Sequence, residues 1–457
     1  MSAQTFRQAR DLLGKPSPAR ERLAMLFDAD SFVELDGFVM TGDEPAGVIC
    51  GYGSVMGSPA CAFAQDGSGF GRAQATKIAK LYDLALKTGI PVVGIYDSAG
   101  ARVAEGADVL AAYSELLLRV NNLSGVVPQI SLVTGVCAGS SALLACCADF
   151  VVMTKEAQFF MTPPALSKDK VEGAGSAEAA AKAGVAHVVA DTDAAAIDAV
   201  KQLLTRLPLN NLASPPVLEF AAPAENVPAA GASGQELANA FFDSGSVVEL
   251  LKGFADGCAY TAMASMGGYP VGVVAASGKI CADGCNKIAK LVNVCDAFQI
   301  PVVTFVNATG FEPSSKAELC GSVREMAKLS HVYAEATTPK VAVITGKAYG
   351  AAYVALAGRA ANSDYTIAWP DAVISPLEPQ TAVAFLYADK ISPEKSREQL
   401  QAEYEQGEAS ALAAAKAGHL DDVISPELTR PAILAALDLL SAKRVSRNPK
   451  KHGNLPL

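Results

Sequence analysis

The sequence predicts an α/β protein made of two homologous halves, in which the strands pair mainly in parallel. Residues 77–100 recur as residues 287–310, and ten of the 24 aligned positions are identical. A period of 210 residues indicates a duplicated domain, because the units of solenoid repeats are only about 20 to 50 residues long. Apolar strands without alternation, such as 90–95, alternate with amphipathic helices, and this order is typical of parallel sheets covered by helices.

The repeat extends over most of the chain. Three further blocks recur at offsets of 211 to 215, namely 128–142 with 339–353, 53–59 with 264–270, and 31–35 with 246–250. The stretch 207–234 between the copies is rich in Pro and Gly, as expected for an irregular linker. We therefore predict a first domain over 1–206, a linker over 207–234 and a second domain over 235–457.

The elements of the first half follow in order along the chain. A helix is predicted over 16–27, and short runs of β-forming residues follow it at 31–35, 47–55 and 60–64. In the segment 73–87 apolar residues recur at helical spacing and predict one buried face. Gly89 is expected to end that helix.

The apolar run 90–95 then predicts a strand buried on both faces. A loop over 97–106, a helix over 107–119, a strand over 129–134 and a helix from about Gly139 complete the first half. The second half repeats this order. The uncharged stretch 120–148 is long enough to span a bilayer, but polar residues interrupt it and its repeat partner contains Lys340 and Lys347. We interpret it as a buried strand followed by a helix.

Composition restricts the function classes. The chain has 457 residues and a net charge of −10, which argues against a nucleic acid partner. Its ten cysteines form no CxxC pair, so we interpret them as buried thiols of a cytoplasmic protein and predict no metal site. The four scattered histidines disfavour a nucleophilic triad. The N-terminal basic residues are interpreted as a solvated helix face: Arg7, Arg10, Lys15, Arg20 and Arg22.

In each half, two strands end in turns of small residues that lead into helices. The first half has 97–101 and 137–141, and the second has 307–310 and 348–352. Small side chains let a ligand approach the backbone, and the first N–H groups of a helix have no partner within it. Two such turns side by side form an oxyanion hole whose donors are main-chain N–H groups. Tight packing of helix against strand explains the same residues without a ligand.

These motifs resemble those of the biotin-dependent acyl-CoA carboxyltransferases. The resemblance covers nearly the whole chain. It rests on ARERLAMLFDADSFVELD (19–36), IYDSAGARVAEG (95–106), CAGSSA (137–142), CDAFQIPVVTFVNATGF (295–311), GKAYGAAY (346–353) and KKHGNLPL (450–457). It implies two tandem crotonase-like domains, the ClpP/crotonase fold, and an active site between the first half of one subunit and the second half of another. It also implies a homo-oligomer, a hexamer in that family.

The resemblance further assigns one reactant to each half. Negative charge develops on a carbonyl oxygen of both the CoA thioester and biotin, so each needs its own oxyanion hole. The catalytic N–H groups would come from Ala99, Gly100, Gly139 and Ser140 in the first half, and from Thr309, Gly310, Gly350 and Ala351 in the second. Acyl-CoA binding would add Ala101 and Ala138, and biotin binding would add Phe311 and Tyr349.

The same resemblance implies partners. The sequence contains no Met-Lys-Met motif for biotinylation, so biotin is expected on a separate biotin carboxyl carrier protein. A biotin carboxylase or a membrane decarboxylase subunit would complete the complex, and the acyl-CoA would be of the propionyl/methylmalonyl or acetyl/malonyl type. The family usually has Gly-Gly where this chain has Ala99-Gly100, Gly139-Ser140 and Gly350-Ala351.

Two other functions remain open at this point. One is a cofactor-free crotonase-type hydratase or isomerase, which generally needs a carboxylate just after the Gly-rich turn. The stretches 140–143 and 351–354 contain none. The other is a non-catalytic assembly subunit whose turns have diverged, as the replaced glycines suggest.

Overall fold

A computed structural model describes residues 7, 10–11, 13–224, 227–446 and 448–456. Parts of the predicted first domain (1–6, 8–9 and 12), of the linker (225–226) and of the second domain (447 and the tail residue 457) lie outside the described residues. The chain divides into two compact units, Met1–Pro216 and Val217–Leu457.

The first unit contains one large sheet and helices that pack on it. Its helices are α1 (Pro18–Leu26), α2 (Arg72–Thr88), α3 (Ala107–Leu123), α4 (Ser140–Cys146), α5 (Ala177–Lys182) and α6 (Asp193–Leu204), with 3-10 turns at Val103–Glu105 and Pro164–Leu166. Its strands are β1 (Val33–Leu35), β2 (Met40–Thr41), β3 (Glu44–Pro45), β4 (Val48–Val55), β5 (Ser58–Gln65), β6 (Val92–Tyr96), β7 (Gln129–Val133), β8 (Val136–Ala138), β9 (Phe150–Thr154), β10 (Gln158–Phe160) and β11 (Val188–Ala190).

The second unit repeats this plan. Its helices are α7 (Gly234–Phe241), α8 (Ala282–Ala297), α9 (Ser315–Leu319), α10 (Ser322–Glu335), α11 (Gly350–Leu356), α12 (Pro379–Leu386), α13 (Arg397–Gln406), α14 (Ala411–Lys416) and α15 (Thr429–Leu440), with 3-10 turns at Ala388–Lys390 and Pro426–Leu428. Its strands are β12 (Val248–Leu250), β13 (Ala259–Met266), β14 (Tyr269–Ile280), β15 (Val302–Phe311), β16 (Lys340–Tyr349), β17 (Tyr365–Ala368), β18 (Val373–Ser375) and β19 (Asp422–Val423).

The two large sheets have corresponding strand orders. The first runs β1-β4-β5-β6-β7-β9-β11 and the second β12-β13-β14-β15-β16-β17-β19. In each, the first three strands are antiparallel and the remaining ones pair in parallel. This confirms the predicted α/β class with mainly parallel pairing. The carboxyl ends of parallel strands therefore lie at one edge of each sheet.

Sequence signals account for the central elements. Gly71 precedes α2, and Gly89 ends it in a left-handed conformation with φ of 63°, as predicted. All five residues of β6 are buried, which explains why the strand is apolar without alternation. The uncharged stretch 120–148 consists of the end of α3, the strands β7 and β8, and α4. No helix in the described part of the chain is long and apolar enough to cross a membrane.

Each unit has its own apolar core between sheet and helices. In the first unit Phe63, Tyr82 and Tyr96 pack together, with ring centroids of Phe63 and Tyr96 5.3 Å apart. In the second unit Phe241 stacks on Phe305 with centroids 5.8 Å apart. These cores hold β6 and β15, the strands that lead into the turns of interest.

Candidate functional site

In the first unit, the turn after β6 lies beside the turn between β8 and α4. The N–H of Ser98 donates to the carbonyl oxygen of Val136 over 2.9 Å. This hydrogen bond joins the start of the first turn to the strand that leads into the second. The structure therefore brings the predicted residues of 99–101 and 138–140 to one edge of the sheet.

Most N–H groups of the first turn already have a partner. Ala99 donates to the carbonyl of Ser68 over 3.3 Å, and Gly100 donates to the hydroxyl of Ser98 over 3.3 Å. The N–H of Ala101 has no protein partner among the described residues, although its neighbours bond to Phe70 on both sides. Ala101 is exposed, so its N–H is the donor that this turn offers to a ligand.

The second turn likewise has one N–H group without a protein partner among the described residues. Gly139 donates its N–H to the carbonyl of Phe160 over 2.9 Å, while Ala138 pairs with Phe160 in the β8–β10 ladder. Ser140 is the first residue of α4, where helix geometry provides no intrahelical acceptor. Within the described chain its N–H has no protein partner. Ala101 and Ser140 thus present one donor from each turn.

The backbone conformation of these turns requires glycine. Gly100 has a φ of 97° and Gly139 a φ of 56°, conformations that residues with a side chain rarely adopt. A Cβ built on Gly100 meets no heavy atom within 4 Å. The space above this backbone is therefore open, which is what a thioester carbonyl needs to approach the donors.

The second unit carries the same arrangement on longer strands. β15 continues through the turn residues 307–311 and pairs with β14 at each of them except Thr309, where the register shifts. Ala308 pairs with Ala348 of β16, and the side-chain oxygen of Asn307 accepts the N–H of Lys347 over 2.9 Å. The structure thus brings the predicted residues 309–311 and 349–351 together at one edge of the second sheet.

The repeat gives the positions that correspond to Ala101 and Ser140 in the second half. Phe311 lies 210 residues after Ala101, and Ala351 lies 211 residues after Ser140. Gly310 has a φ of 120°, and a Cβ built on it also meets no heavy atom within 4 Å. The space beside this backbone is therefore open, as it is beside Gly100.

Thr309 and Tyr349 lie beside these donors. Thr309 is half-buried within β15. Tyr349 is buried, and burial raises the pKa of its phenol to about 12. Tyr349 is the N-cap residue of α11.

Asp97, the carboxylate of the first turn, forms an ion pair with an arginine. Asp97 contacts Arg22, with 2.9 Å between Oδ2 and Nη1, and Arg22 also binds Asp193 over 2.8 Å. Burial lowers the pKa of the Arg22 guanidinium, but the hydrogen bonds and charges of Asp193 and Asp97 outweigh it and raise the pKa above its ordinary value. Neither α4 nor α11 contains an acidic residue.

Arg22 corrects one interpretation of the sequence. The basic residues near the N-terminus were interpreted as a solvated helix face, but Arg22 is only 9% exposed and lies between two carboxylates. Arg20 is also partly buried and pairs with Glu34 over 2.9 Å. The signal that could have revealed this is the helical spacing, since Ala19, Arg22, Leu23 and Leu26 form the buried face of α1.

Arg102 and Glu105, which flank the first turn, each have a separate partner. The Nε of Arg102 donates to the carbonyl of Gly69 over 2.8 Å. Glu105 accepts the N–H of Arg72 at the start of α2 over 2.7 Å. Both side chains therefore fix the segment 69–72 beneath the first turn.

Known proteins are similar to this chain over nearly its whole length. The carboxyl transferase domain family matches residues 16–455. The chain is 37% identical to the methylmalonyl-CoA decarboxylase subunit alpha of Veillonella parvula, over 96% of this chain and 93% of that one. It is 38% identical to the propionyl-CoA carboxylase beta chain of Saccharopolyspora erythraea, over 96% and 90%. A transcarboxylase 12S structure, a hexamer with methylmalonyl-CoA bound, matches with a TM-score of 0.92 at 34% identity, over 99% and 98%.

Proposed function

Because the chain belongs to the carboxyl transferase domain family, we propose that it divides one carboxyl transfer between the turns of its two halves. The protein is a biotin-dependent acyl-CoA carboxyltransferase subunit, and its fold is a tandem pair of crotonase-like α/β domains. The first half holds the acyl-CoA and the second half holds biotin. The acyl group is short, of the propionyl/methylmalonyl or acetyl/malonyl type.

The first half acts on the thioester through Ala101 and Ser140. Their N–H groups have no protein acceptor in the described chain, and this observation carries the proposal. Two donors aimed at one carbonyl oxygen stabilise the negative charge that develops there when the α-carbon gains or loses a carboxyl group. Ala99, Gly100, Ala138 and Gly139 shape the turns, because most of their N–H groups hold them in place.

The second half orients biotin in the corresponding way. Bound biotin supplies the ureido group that carries the carboxyl group. Phe311 and Ala351 are the counterparts of the first pair of donors, and Thr309, Gly310, Tyr349 and Gly350 complete the two turns. The open side of Gly310 gives the ring access to the backbone.

The absence of acidic residues from α4 and α11 supports this chemistry over hydration. An enoyl-CoA hydratase needs an acid or base that moves a proton to or from water. Asp97, the carboxylate at the start of the first turn, is engaged by Arg22. The protein therefore contributes positioning and electrostatic stabilisation.

We propose a homo-hexamer, a separate biotin carrier protein and a further carboxylase or decarboxylase subunit as its assembly. The transcarboxylase 12S relative forms a hexamer, and the sequence has no Met-Lys-Met motif of its own. The relatives include a methylmalonyl-CoA decarboxylase subunit and a propionyl-CoA carboxylase chain, so we propose that the further subunit belongs to one of these two complexes.

Carboxyl exchange tests the function directly. The purified chain is incubated with free biotin and with methylmalonyl-CoA or malonyl-CoA labelled in the free carboxyl group. We expect at least one of the two esters to lose its label, and this loss should occur only when biotin is present. Absence of biotin-dependent turnover with both esters, from protein that is folded by circular dichroism, would contradict the proposal. Turnover of an enoyl-CoA would instead indicate a crotonase-type hydratase.

A further inference from the structure

Two thiols of the second half lie in contact. The sulfur atoms of Cys258 and Cys281 are 3.4 Å apart. Cys258 is 5% exposed, whereas Cys281 is partly exposed. Since a disulfide bond is about 2.05 Å long, the pair needs a closure of roughly 1.4 Å, which side-chain rotation and small backbone shifts supply.

The surrounding structure holds both thiols in this arrangement. Cys281 is the N-cap of α8, and its sulfur accepts the N–H of Gly284 over 3.4 Å. A Cβ built on Gly284 would lie 2.6 Å from the sulfur of Cys258, so Cys258 packs directly on the first turn of the helix. Lys287 fixes the preceding loop, because its Nζ donates to the carbonyl of Phe254 over 2.8 Å.

The two sulfurs differ in reactivity. Cys281 is the more accessible of the two, because it is partly exposed whereas Cys258 is buried. Burial raises the pKa of the Cys258 thiol to about 11. This division corresponds to an attacking cysteine at the surface and a resolving cysteine behind it.

We propose that Cys258 and Cys281 form a reversible disulfide when the protein meets a peroxide, and that this bond alters the turn that binds biotin. The sulfur of Cys281 attacks one peroxide oxygen, the O–O bond breaks, and one water leaves, giving a sulfenic acid. The sulfur of Cys258 then attacks the sulfenic sulfur. The S–S bond forms, the S–O bond breaks, and the hydroxyl leaves as a second water with the proton of Cys258. Two molecules of a low-molecular-weight thiol reverse the reaction: the first forms a mixed disulfide with one cysteine and releases the other, and the second releases the remaining cysteine as the thiol and leaves as the small disulfide.

The effect on biotin follows from the position of Cys281. It comes directly after Ile280, the last residue of β14, which pairs with Phe311. The carbonyl of Ile280 also accepts the N–H of Glu312 over 2.9 Å. A closure at Cys281 therefore pulls on the strand that holds the biotin turn. The first half has no thiol at the corresponding positions. Cys258, Cys281 and Cys285 correspond in the repeat to Gly47, Gly71 and Ala75.

Peptide mapping without reduction tests the proposal. The full-length chain is treated with hydrogen peroxide, blocked with iodoacetamide and digested. We expect a linked peptide pair containing Cys258 and Cys281, with the mass of both minus two hydrogen atoms, which dithiothreitol removes. In C258S, dimedone should label a sulfenic acid on Cys281. The matched control C320S changes an exposed cysteine, and it should form the same linked pair as the unmodified chain.

The effect on catalysis is read from the exchange assay and rests on the proposed function. We expect the oxidised protein to show a several-fold higher KM for free biotin, with the KM for acyl-CoA unchanged and full recovery after reduction. Absence of the linked pair, or linkage of Cys281 to Cys285 one helical turn further on, would overturn the proposal. A linked protein with an unchanged KM for biotin would overturn the coupling. A reduced chain without exchange activity would contradict the proposed function alone, because the mass measurement does not depend on turnover.

Discussion

Asp97 in the first half and Asn307 in the second occupy corresponding positions, 210 residues apart, where the strand leads into the ligand turn. Both side chains lie against a glycine of the neighbouring segment, since a Cβ built on Gly135 or Gly346 would collide with them. In both copies the glycine thus leaves room for this side chain. The group that fills it has changed from a carboxylate to an amide.

This change alters how each turn is held. In the first half the carboxylate of Asp97 pairs with Arg22 from α1, and Arg22 also binds Asp193 at the start of α6. In the second half the amide of Asn307 accepts one backbone N–H. The first turn is therefore tied to two distant helices by charge, whereas the second needs no charged partner at this position.

The strands that lead into the two turns, β6 and β15, differ in how far they extend. β6 ends at Tyr96, and only the isolated bridges of Gly67 with Ser98 and Phe70 with Ala101 extend the pairing. β15 instead continues to Phe311 and pairs with β14 up to that residue, with one register shift that leaves out Thr309. The second turn is thus held by a longer backbone ladder, whereas the first combines separate backbone hydrogen bonds with the ion pair of Asp97 and Arg22. The comparison teaches that duplicated turns with the same backbone path can depend on different interactions.

The strongest test of this comparison removes one donor from each half. Proline is tolerated in the first turn of a helix and lacks an N–H, so Ser140→Pro and Ala351→Pro delete the proposed donors. We expect kcat for carboxyl exchange to fall by roughly 100- to 1,000-fold in each variant. Ser140→Ala and Ala351→Ser keep the N–H and are the matched controls, with activity close to that of the unmodified chain. Equal rates for the proline and control variants would show that these amides are not donors.

A smaller effect is expected from removing Arg22, which pairs with Asp97 and Asp193. Arg22→Met leaves two carboxylates without their partner, and we expect the first half to lose about 2 to 4 kcal/mol of stability. Asn307→Ala should cost the second half only about 1 kcal/mol, since one neutral acceptor is lost. Hydrogen exchange of the β6 and β15 amides across a urea series measures both. Addition of Asp97→Asn to Arg22→Met should restore part of the loss. Equal losses in the two halves would contradict the distinction.

A third test measures stability at acid pH. Asp28 in the first half and Asp243 in the second occupy corresponding positions but have different partners. Asp28 accepts the N–H groups of Met56 and Gly57, and Asp243 accepts those of Gly267 and Gly268. Among the described residues, only the second copy pairs with an arginine, since Arg430 lies 2.6 Å from Asp243.

Both carboxyl groups have a lowered pKa in the folded protein. For Asp28 the main cause is the hydrogen bond from Ser54, followed by that from Gly57. For Asp243 burial raises the pKa, but the hydrogen bonds of Gly268 and Arg430, with those of Ser265 and Gly267, outweigh it and lower the pKa.

A carboxyl group with a lowered folded pKa stabilises the protein above its unfolded pKa, and this stability is lost as the pH falls through the folded pKa. We therefore expect both halves to lose stability below about pH 4. Asp243→Asn should reduce the stability that the second half loses between neutral and acid pH, and Asp28→Asn should do the same in the first half. The reduction should be about 1 kcal/mol larger for Asp243→Asn. Urea titrations between neutral and acid pH measure the difference. An equal reduction in both halves would show that Arg430 adds nothing.

The sequence predicted the duplicated architecture well because the signals are local. Gly89 ended α2 as expected, and the apolar run of β6 proved to be buried on both sides. Two tandem crotonase-like domains, biotin and a CoA ester as reactants, and the carboxyltransferase class were also predicted correctly.

The details of the turns required three-dimensional contacts. The choice of Ala101 and Ser140 over Ala99, Gly100 and Gly139 depends on which N–H groups find acceptors on segments distant in sequence, such as Ser68 and Phe160. Nothing in the order of residues reveals those partners. Arg22 was misinterpreted for the same reason, because its carboxylates lie 75 and 171 residues away. The assignment of ligands to the two halves remains a prediction.

Hydrogen exchange in the presence of one reactant at a time tests that assignment most directly. The amides of 98–102 and 139–144 are compared with those of 308–312 and 350–355, first with methylmalonyl-CoA alone and then with free biotin alone. The proposed division predicts that the CoA ester slows exchange only in the first pair of segments and that biotin slows it only in the second. Protection of the same pair by both reactants, or the reverse pattern, would contradict it.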